Sequence, residues 1–363
     1  MRKWAVLLVF IILCQTVVFP ALAESITAII SGDYEYVLRE DGSACLTLYK
    51  GHAKALTIPG DMDGHPVKAV GKDAFPKGLS VSSILIPAGI REIGAGAFRF
   101  LDKLAAIGVI NVNPVYASAQ GVLFDKKQNL LHTYPRSRGG ALYGIPRGIE
   151  TIGESAFYQP LYLESVYIPS SVSLIGDQAF YGCKKFFTVR LPESIQAIGG
   201  KAFAGCTGLT YMEVPKSVTN IGPGVFLRCE SLEELMVDEE NPTYAAINGV
   251  LVEKETKLLH TYLQKKASQI IRIPGGITAV GELAFSDCLV LREVTVPDSV
   301  KAIGREAFAR CYNLESITLP GGDLAIEPGA FLDSMRLNMK VKESSPAHAY
   351  AVENTLPFTL NGK

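Results

Sequence analysis

The chain has 363 residues, 48% of them hydrophobic and 20% charged, with seven cysteines and a formal charge of −1. This composition excludes a disordered chain, a disulfide-dense mini-protein and a nucleic-acid binder that works through bulk positive charge. At roughly 150 residues per domain the length predicts about two domains, but internal repetition overrides that prior.

In chain order, the first segment reads as a targeting signal. Arg2 and Lys3 precede an apolar run from Trp4 to Phe19, and Ala21-Leu22-Ala23 supplies the small residues that a signal peptidase needs at its cut. Residues 1–23 are expected to be a cleaved signal peptide, and the mature protein to be extracellular, either secreted or associated with the cell surface. Cleavage there leaves 340 residues with 33 basic against 36 acidic side chains, a charge of −3. Cys14 is a poor lipid-attachment site, because Leu13 stands where a small residue is required. No later stretch reaches the roughly 18 to 20 continuous apolar residues of a membrane helix, so no membrane span is expected.

From residue 56 onward one phrase recurs: an apolar residue before Pro, an apolar residue before Gly, then Ala-Phe or its near equivalent. Its phenylalanines are Phe75, Phe98, Phe157, Phe180, Phe203, Phe226, Phe285, Phe308 and Phe331, at intervals of 23, 59, 23, 23, 23, 59, 23 and 23. Nine repeats in register over about 270 residues define a repeat architecture. In the clearest copy, Leu163 to Cys183, Leu163, Val166 and Ile168 alternate with Ser165 and Tyr167 as a short strand does. Pro169, without an amide donor, ends that strand. Gly176 reads as a flexible turn position, and Phe180 as the large group between successive coils. One repeat cannot bury such a face alone, so the expected fold is a mostly β repeat solenoid. It carries one short parallel strand per 23-residue repeat, and nine strands about 4.8 Å apart span an arc of roughly 40 Å.

The two 59-residue intervals share a second phrase. Asn113 to Tyr134, NPVYASAQGVLFDKKQNLLHTY, realigns with Asn241 to Tyr262, NPTYAAINGVLVEKETKLLHTY, at an offset of 128. That offset equals one long interval plus three short ones, so the whole block reads as duplicated. Within each insert two short strands flank a polar turn, Asp125 to Asn129 in the first copy, which predicts a projecting β-hairpin.

The pattern C-x-x-L-x-x-I-x-I-P-x-S-V-x-x-I-G-x-x-A-F resembles the BspA-like class of bacterial leucine-rich repeats, and the insert phrase is similar to that family's long repeat. Gly32 to Gly51 resembles the family's β-rich N-terminal cap, and Ser344 to Phe358 its closing helix and strand. The resemblance implies an extracellular leucine-rich-repeat arc. The corresponding division is an N-terminal β cap at 24–55 and a solenoid of nine repeats at 56–340. Hairpin inserts fall at about 110–145 and 238–273, and a C-terminal cap at 341–363. The resemblance also implies a role in adhesion or in binding proteins or matrix, less directly, since one scaffold serves many partners.

Other candidate chemistry reduces to packing. Cys183, Cys206, Cys229, Cys288 and Cys311 share one repeat position, which is Gly78, Leu101, Pro160 and Ser334 elsewhere. A slot that accepts these residues is not a metal site, and cysteines in a line cannot converge tetrahedrally on zinc, so buried free thiols are expected. Bridges between Cys183 and Cys206 or between Cys288 and Cys311 stay open as alternatives. His132 and His260 are duplicated positions in the inserts and read as structural. Asp61-Met62-Asp63-Gly64 begins like a calcium loop but lacks the closing ligands, so it reads as a turn. No phosphate-cradling glycine loop, HExxH or GxSxG is present, and no cofactor, metal or catalysis is expected.

Function then falls on the outward-facing residues of the strands, expected to line the concave side. These are Ser165 and Tyr167, Thr188 and Arg190, Tyr211 and Glu213, then Glu234 and Met236. Glu293, Thr295, Ser316 and Thr318 continue the row. Tyr, Arg and Met are enriched at protein interfaces, which makes the stretch from Tyr167 to Met236 the candidate contact surface for an extracellular protein or matrix ligand. The rival readings are a carbohydrate-binding solenoid, a polysaccharide-cleaving parallel β-helix, which would need clustered acidic or basic residues at successive turns where Ser, Thr, Arg and Glu are mixed, and a purely structural spacer.

Overall fold

Alternation within each repeat decides which way its strand faces. In a computed structural model that describes residues 27–247, 249–266 and 268–361, Leu163, Val166 and Ile168 are buried while Ser165 and Tyr167 are exposed. The expected signal peptide lies outside the described residues. Strands equivalent to Ser165–Tyr167 recur along the chain and pair in parallel with the next coil. They form the groups Ala55–Thr57, Ser83–Ile86 and Ala106–Val109; Leu142–Gly144 and Ser165–Tyr167; Thr188–Val189, Tyr211–Val214 and Glu234–Val237. The last group runs from Ile270–Arg272 through Glu293–Thr295, Ser316–Thr318 and Asn338–Val341. This mostly β solenoid is the expected architecture.

The regular 23-residue coils also carry a second strand of only two residues. Thr151, Leu174, Ala197 and Asn220 pair in succession, as do Ala279, Ala302 and Ala325. A glycine follows every one of these pairs except Ala325-Ile326, where Glu327 stands, and it is not a turn residue, in contrast to its reading from sequence. A Cβ at Gly176 would lie 2.8 Å from Glu154 N, at Gly199 2.4 Å from Asp177 N, and at Gly222 2.3 Å from Gly200 N. Glycine is required there because adjacent backbones touch. The amides of Gly176 and Gly199 each donate to a carbonyl one coil back, Ile152 and Ile175, at 2.8 Å. The left-handed backbone falls two residues later, at Ser155, Gln178 and Lys201, with φ of 57°, 55° and 56°.

The ladder phenylalanines stack along the axis, with centroids 5.0 Å apart for Phe157–Phe180, 5.3 Å for Phe180–Phe203 and 4.8 Å for Phe285–Phe308. Tyr134 stacks on Phe157 at 5.0 Å and Tyr262 on Phe285 at 4.9 Å. From Ala106 to Leu142 is 36 residues, and the regular 23 follow to Ser165. Each long interval therefore holds one extra coil, with tyrosine where the other nine have phenylalanine.

Those extra coils contain the inserts, and the hairpins do not project. Tyr116–Ala119, Val122–Asp125 and Leu130–Thr133 form a three-stranded antiparallel unit whose last strand pairs in parallel with Thr151–Ile152. Tyr244–Ile247, Val250–Glu253 and Leu258–Tyr262 repeat this arrangement. Both faces of the middle strand are buried, which is why it reads GVLF or GVLV with no alternation. Leu123 packs into the core on the N-terminal side, and Val122 and Phe124 into the next. Leu251 likewise packs into the middle core, and Val250 and Val252 into the last.

The N-terminal strands Ile29–Ser31, Tyr34–Leu38 and Ala44–Tyr49 form an antiparallel meander that joins the coils through His65–Val70. At the other end a helix, Pro346–Glu353, is capped by Ser345, whose Oγ accepts from the His348 amide at 3.2 Å. Strand Phe358–Leu360 then pairs with Met339–Val341.

Candidate interaction face

The outward residues of the long strands are held by a backbone ladder that does not depend on their identity. Thr188, Tyr211 and Glu234 are register partners in one row, and Glu213 and Met236 in a second. Arg190 follows the paired Val189 and is exposed. Ser165 and Tyr167 belong to the neighbouring two-stranded sheet with Leu142–Gly144, so the eight expected residues divide between two sheets. Tyr167 is 67% exposed and Met236 47%, while Tyr211 is half-buried and donates through its hydroxyl to Glu213 Oε2 at 3.2 Å. Both signs of charge lie along the face, and two of its charges are paired, Lys185 with Glu164 at 3.9 Å and Glu233 with Lys265 at 3.6 Å. Lys184, Lys185 and Arg190 lie on one coil, and Glu213, Glu233 and Glu234 on the next two.

Two exposed apolar residues belong with this set although the strand pattern did not select them. Phe187 is 67% exposed, because in the Phe186-Phe187 doublet Phe186 takes the buried slot that Leu163 and Leu209 take in neighbouring coils. Leu142, 75% exposed, stands on the strand that follows the first hairpin, and its duplicate Ile270 is 63% exposed. The doublet and the 128-residue offset were the signals that could have found them.

The remaining sequence candidates serve the frame. The five aligned thiols are buried and free. Cys183 donates to the Phe157 carbonyl at 3.3 Å, Cys206 to Phe180 at 3.2 Å and Cys311 to Phe285 at 3.1 Å, and Ser334 makes the same bond to Phe308. Burial pushes the Cys311 thiol up to about 12, which keeps it protonated. Asp61 and Gly64 close a tight turn, with the Gly64 amide donating to Asp61 Oδ1 at 2.9 Å. No group of three or more His, Cys, Asp or Glu able to hold a metal ion occurs among the described residues.

His132 occupies the ladder position of Gly153. The Nε2 of His132 reaches the Ile93 carbonyl at 3.1 Å, and the Ile93 amide donates to Tyr116 Oη at 2.8 Å. His260 and Tyr244 treat Ile221 in the same way, at 2.8 and 2.9 Å. Because a carbonyl only accepts, Nε2 carries the proton, and Nδ1 accepts from Thr133 Oγ1 at 2.8 Å or Thr261 Oγ1 at 2.9 Å. Burial lowers both imidazoles below their usual range, more than the carbonyl bonds raise them. Asn113 and Asn241 complete each plug. Asn113 Nδ2 donates to the Pro87 and Ile90 carbonyls at 2.9 and 3.1 Å, and Asn241 Nδ2 to Pro215 and Val218 at 2.8 and 2.9 Å. The NP-x-Y and LLHTY phrases thus satisfy backbone groups that the hairpins would otherwise leave unpaired.

A family model for the BspA type leucine-rich repeat region matches in six copies, over residues 64–120, 145–249 and 256–351. The chain belongs to the BspA-type leucine-rich repeat family. Among solved structures it is similar to a leucine-rich cell surface protein from Faecalibacterium prausnitzii, at 24% identity over 93% of this chain and 95% of that one, with a TM-score of 0.48. The pneumococcal vaccine antigen PcpA shares 17% identity over 93% and 99% of the two chains, with a TM-score of 0.48. A leucine-rich repeat protein from Bacteroides ovatus shares 21% over 92% and 100%, with a TM-score of 0.40. No curated protein matches. In this BspA-type chain the matched stretches are interrupted at 121–144 and 250–255, within or beside the two hairpins. No helix among the described residues is long and apolar enough to cross a membrane.

Proposed function

We propose that this BspA-type chain is an exported or surface-displayed bacterial protein that binds other proteins, in adhesion or in contact with a host or matrix ligand, without catalysis. Its contact surface is the outward face of the long strands between Leu142 and Met236. The observation that carries this reading is the exposure of Leu142, Tyr167, Phe187 and Met236 within five consecutive coils of a frame whose core is already filled. Exposed apolar and aromatic side chains grouped on a rigid surface and rimmed by charge are what interface anchors require. Arg190 and Glu213, in the row between Tyr167 and Met236, and Glu234 beside it supply opposite charges that can set register with a partner. The apolar leader and the Ala21-Leu22-Ala23 cut site support export.

The test captures partners from an extracellular protein mixture with the mature protein and with a Tyr167→Ala, Arg190→Ala, Tyr211→Ala variant. The expected result is loss of specific partners by the variant at unchanged thermal stability. Identical partner profiles would remove the strand face from consideration, and binding on a glycan array without protein capture would favour a carbohydrate ligand.

A further inference from the structure

The two hairpins are copies of one another, and three of the nine positions at which their 22-residue phrases differ, Ile247, Val252 and Lys257, line one cavity. Beside the second hairpin lies an open pocket of about 350 Å³, floored by Val250, Val252 and Ile277 and walled by Ile247 and Gly275, with Lys254 and Lys257 completing the lining. The volume is at the lower end of the range for small-molecule sites, and an apolar lining with few polar groups is their usual character. At the offset of 128, the first copy has Phe124 for Val252, Arg147 for Gly275, Ala119 for Ile247 and Asn129 for Lys257. Val250, Ile277, Lys254, Ala245, Pro274 and Gly276 are unchanged as Val122, Ile149, Lys126, Ala117, Pro146 and Gly148. The second copy has therefore lost the large side chains of Phe124 and Arg147 at the pocket, gained the smaller Ile247, and carries its cation at Lys257 instead of at the Arg147 position.

That cation is available. Lys254 donates through Nζ to the Asn241 carbonyl at 2.5 Å, as Lys126 does to Asn113, and is part of the hairpin's own frame. Lys257 is exposed and forms no ion pair among the described residues. Of the nearby acids, Glu253 alternates with Val252 and so faces away from the floor, where it accepts from Thr256 Oγ1 at 2.5 Å. Glu255 is exposed on the turn.

We propose that this pocket binds a small amphipathic carboxylate, with its aryl or alkyl body on Val250, Val252 and Ile277 and its anion against Lys257. The site is separate from the strand face and does not depend on that face binding protein. The probe is 2-naphthoate, with 2-naphthamide as its neutral isostere, titrated into the mature protein by calorimetry and checked by saturation-transfer NMR. Wild type binds naphthoate saturably and naphthamide at least about tenfold more weakly. Val252→Phe and Lys257→Asn each weaken naphthoate by about tenfold or more. Both substitutions install residues that the first hairpin already carries at the same places, and a thermal melt checks that each variant is folded. Absence of saturable naphthoate binding at millimolar concentration overturns the proposal. So does undiminished binding by a folded Val252→Phe variant, or equal affinity for acid and amide.

Discussion

His132 and His260 each replace a backbone donor with an imidazole donor, and they do so in the neutral state. With Nε2–H on a carbonyl and Nδ1 accepting from a threonine, a second proton adds no necessary bond and places a charge inside the core. Burial holds both groups below their usual range, so below about pH 6.5 the unfolded chain takes up protons that the folded chain refuses. The stability they contribute is complete above the unfolded value and is lost as pH falls from there toward the folded one. The limiting slope is about 1.4 kcal/mol per pH unit for each histidine. Urea midpoints of the mature protein are expected to fall between pH 7 and pH 5. A His132→Gln, His260→Gln variant keeps an amide donor without a titrating group, and its midpoints are expected to fall less over the same range. An unchanged pH profile in that variant would place the acid sensitivity elsewhere.

At the scale of the coil, the inter-coil glycine sets the spacing of the short strands. Gly199→Ala places a methyl 2.4 Å from Asp177 N and 2.6 Å from Gly176 C, atoms of backbone that cannot swing aside. The expected loss is about 2–3 kcal/mol, within the range for overpacked sites. Gly60→Ala, where an added Cβ meets nothing within 4 Å, is expected to change stability by less than about 0.5 kcal/mol. Chemical denaturation of the two variants distinguishes spacing from mere flexibility, because a flexibility role would leave Gly199→Ala close to neutral. The same coil marks how far the sequence could be read. The 23-residue period, the buried Val166 and the outward Tyr167 follow from alternation and repetition alone. The two-residue strand does not, since Leu174-Ile175 is too short for any period to register, and a glycine needed for contact looks the same in sequence as one needed for a turn. The exposed Phe187 and Leu142 escape the sequence reading for a related reason: strand alternation predicts which residues face out from a strand, and neither an end residue nor the strand after an insert falls within a regular pattern.

Over the whole molecule the hairpins act as partitions. Each middle strand is buried on both faces, so one residue belongs to the core on one side and its neighbour to the core on the other. A sequence read as a duplicated insert therefore corresponds to three stacked cores separated by two walls, the first at Val122–Phe124 and the second at Val250–Val252. In a solenoid, stability is a sum of local terms and contacts between neighbours, so damage to one core is felt first by the coils that share it. Leu251 and Val250 test this because they are adjacent on one strand and both almost fully buried. Leu251→Ala opens a cavity on the middle side and is expected to cost about 2–5 kcal/mol. Its loss of amide protection, followed by native-state hydrogen exchange, should concentrate in coils Leu163 to Leu235 and leave Val280 to Ile326 near wild type. Val250→Ala, with fewer atoms removed, should show a smaller loss in the opposite pattern. If the two variants lower protection by equal proportions on both sides of the wall, the solenoid unfolds as one unit and the hairpins do not divide it energetically.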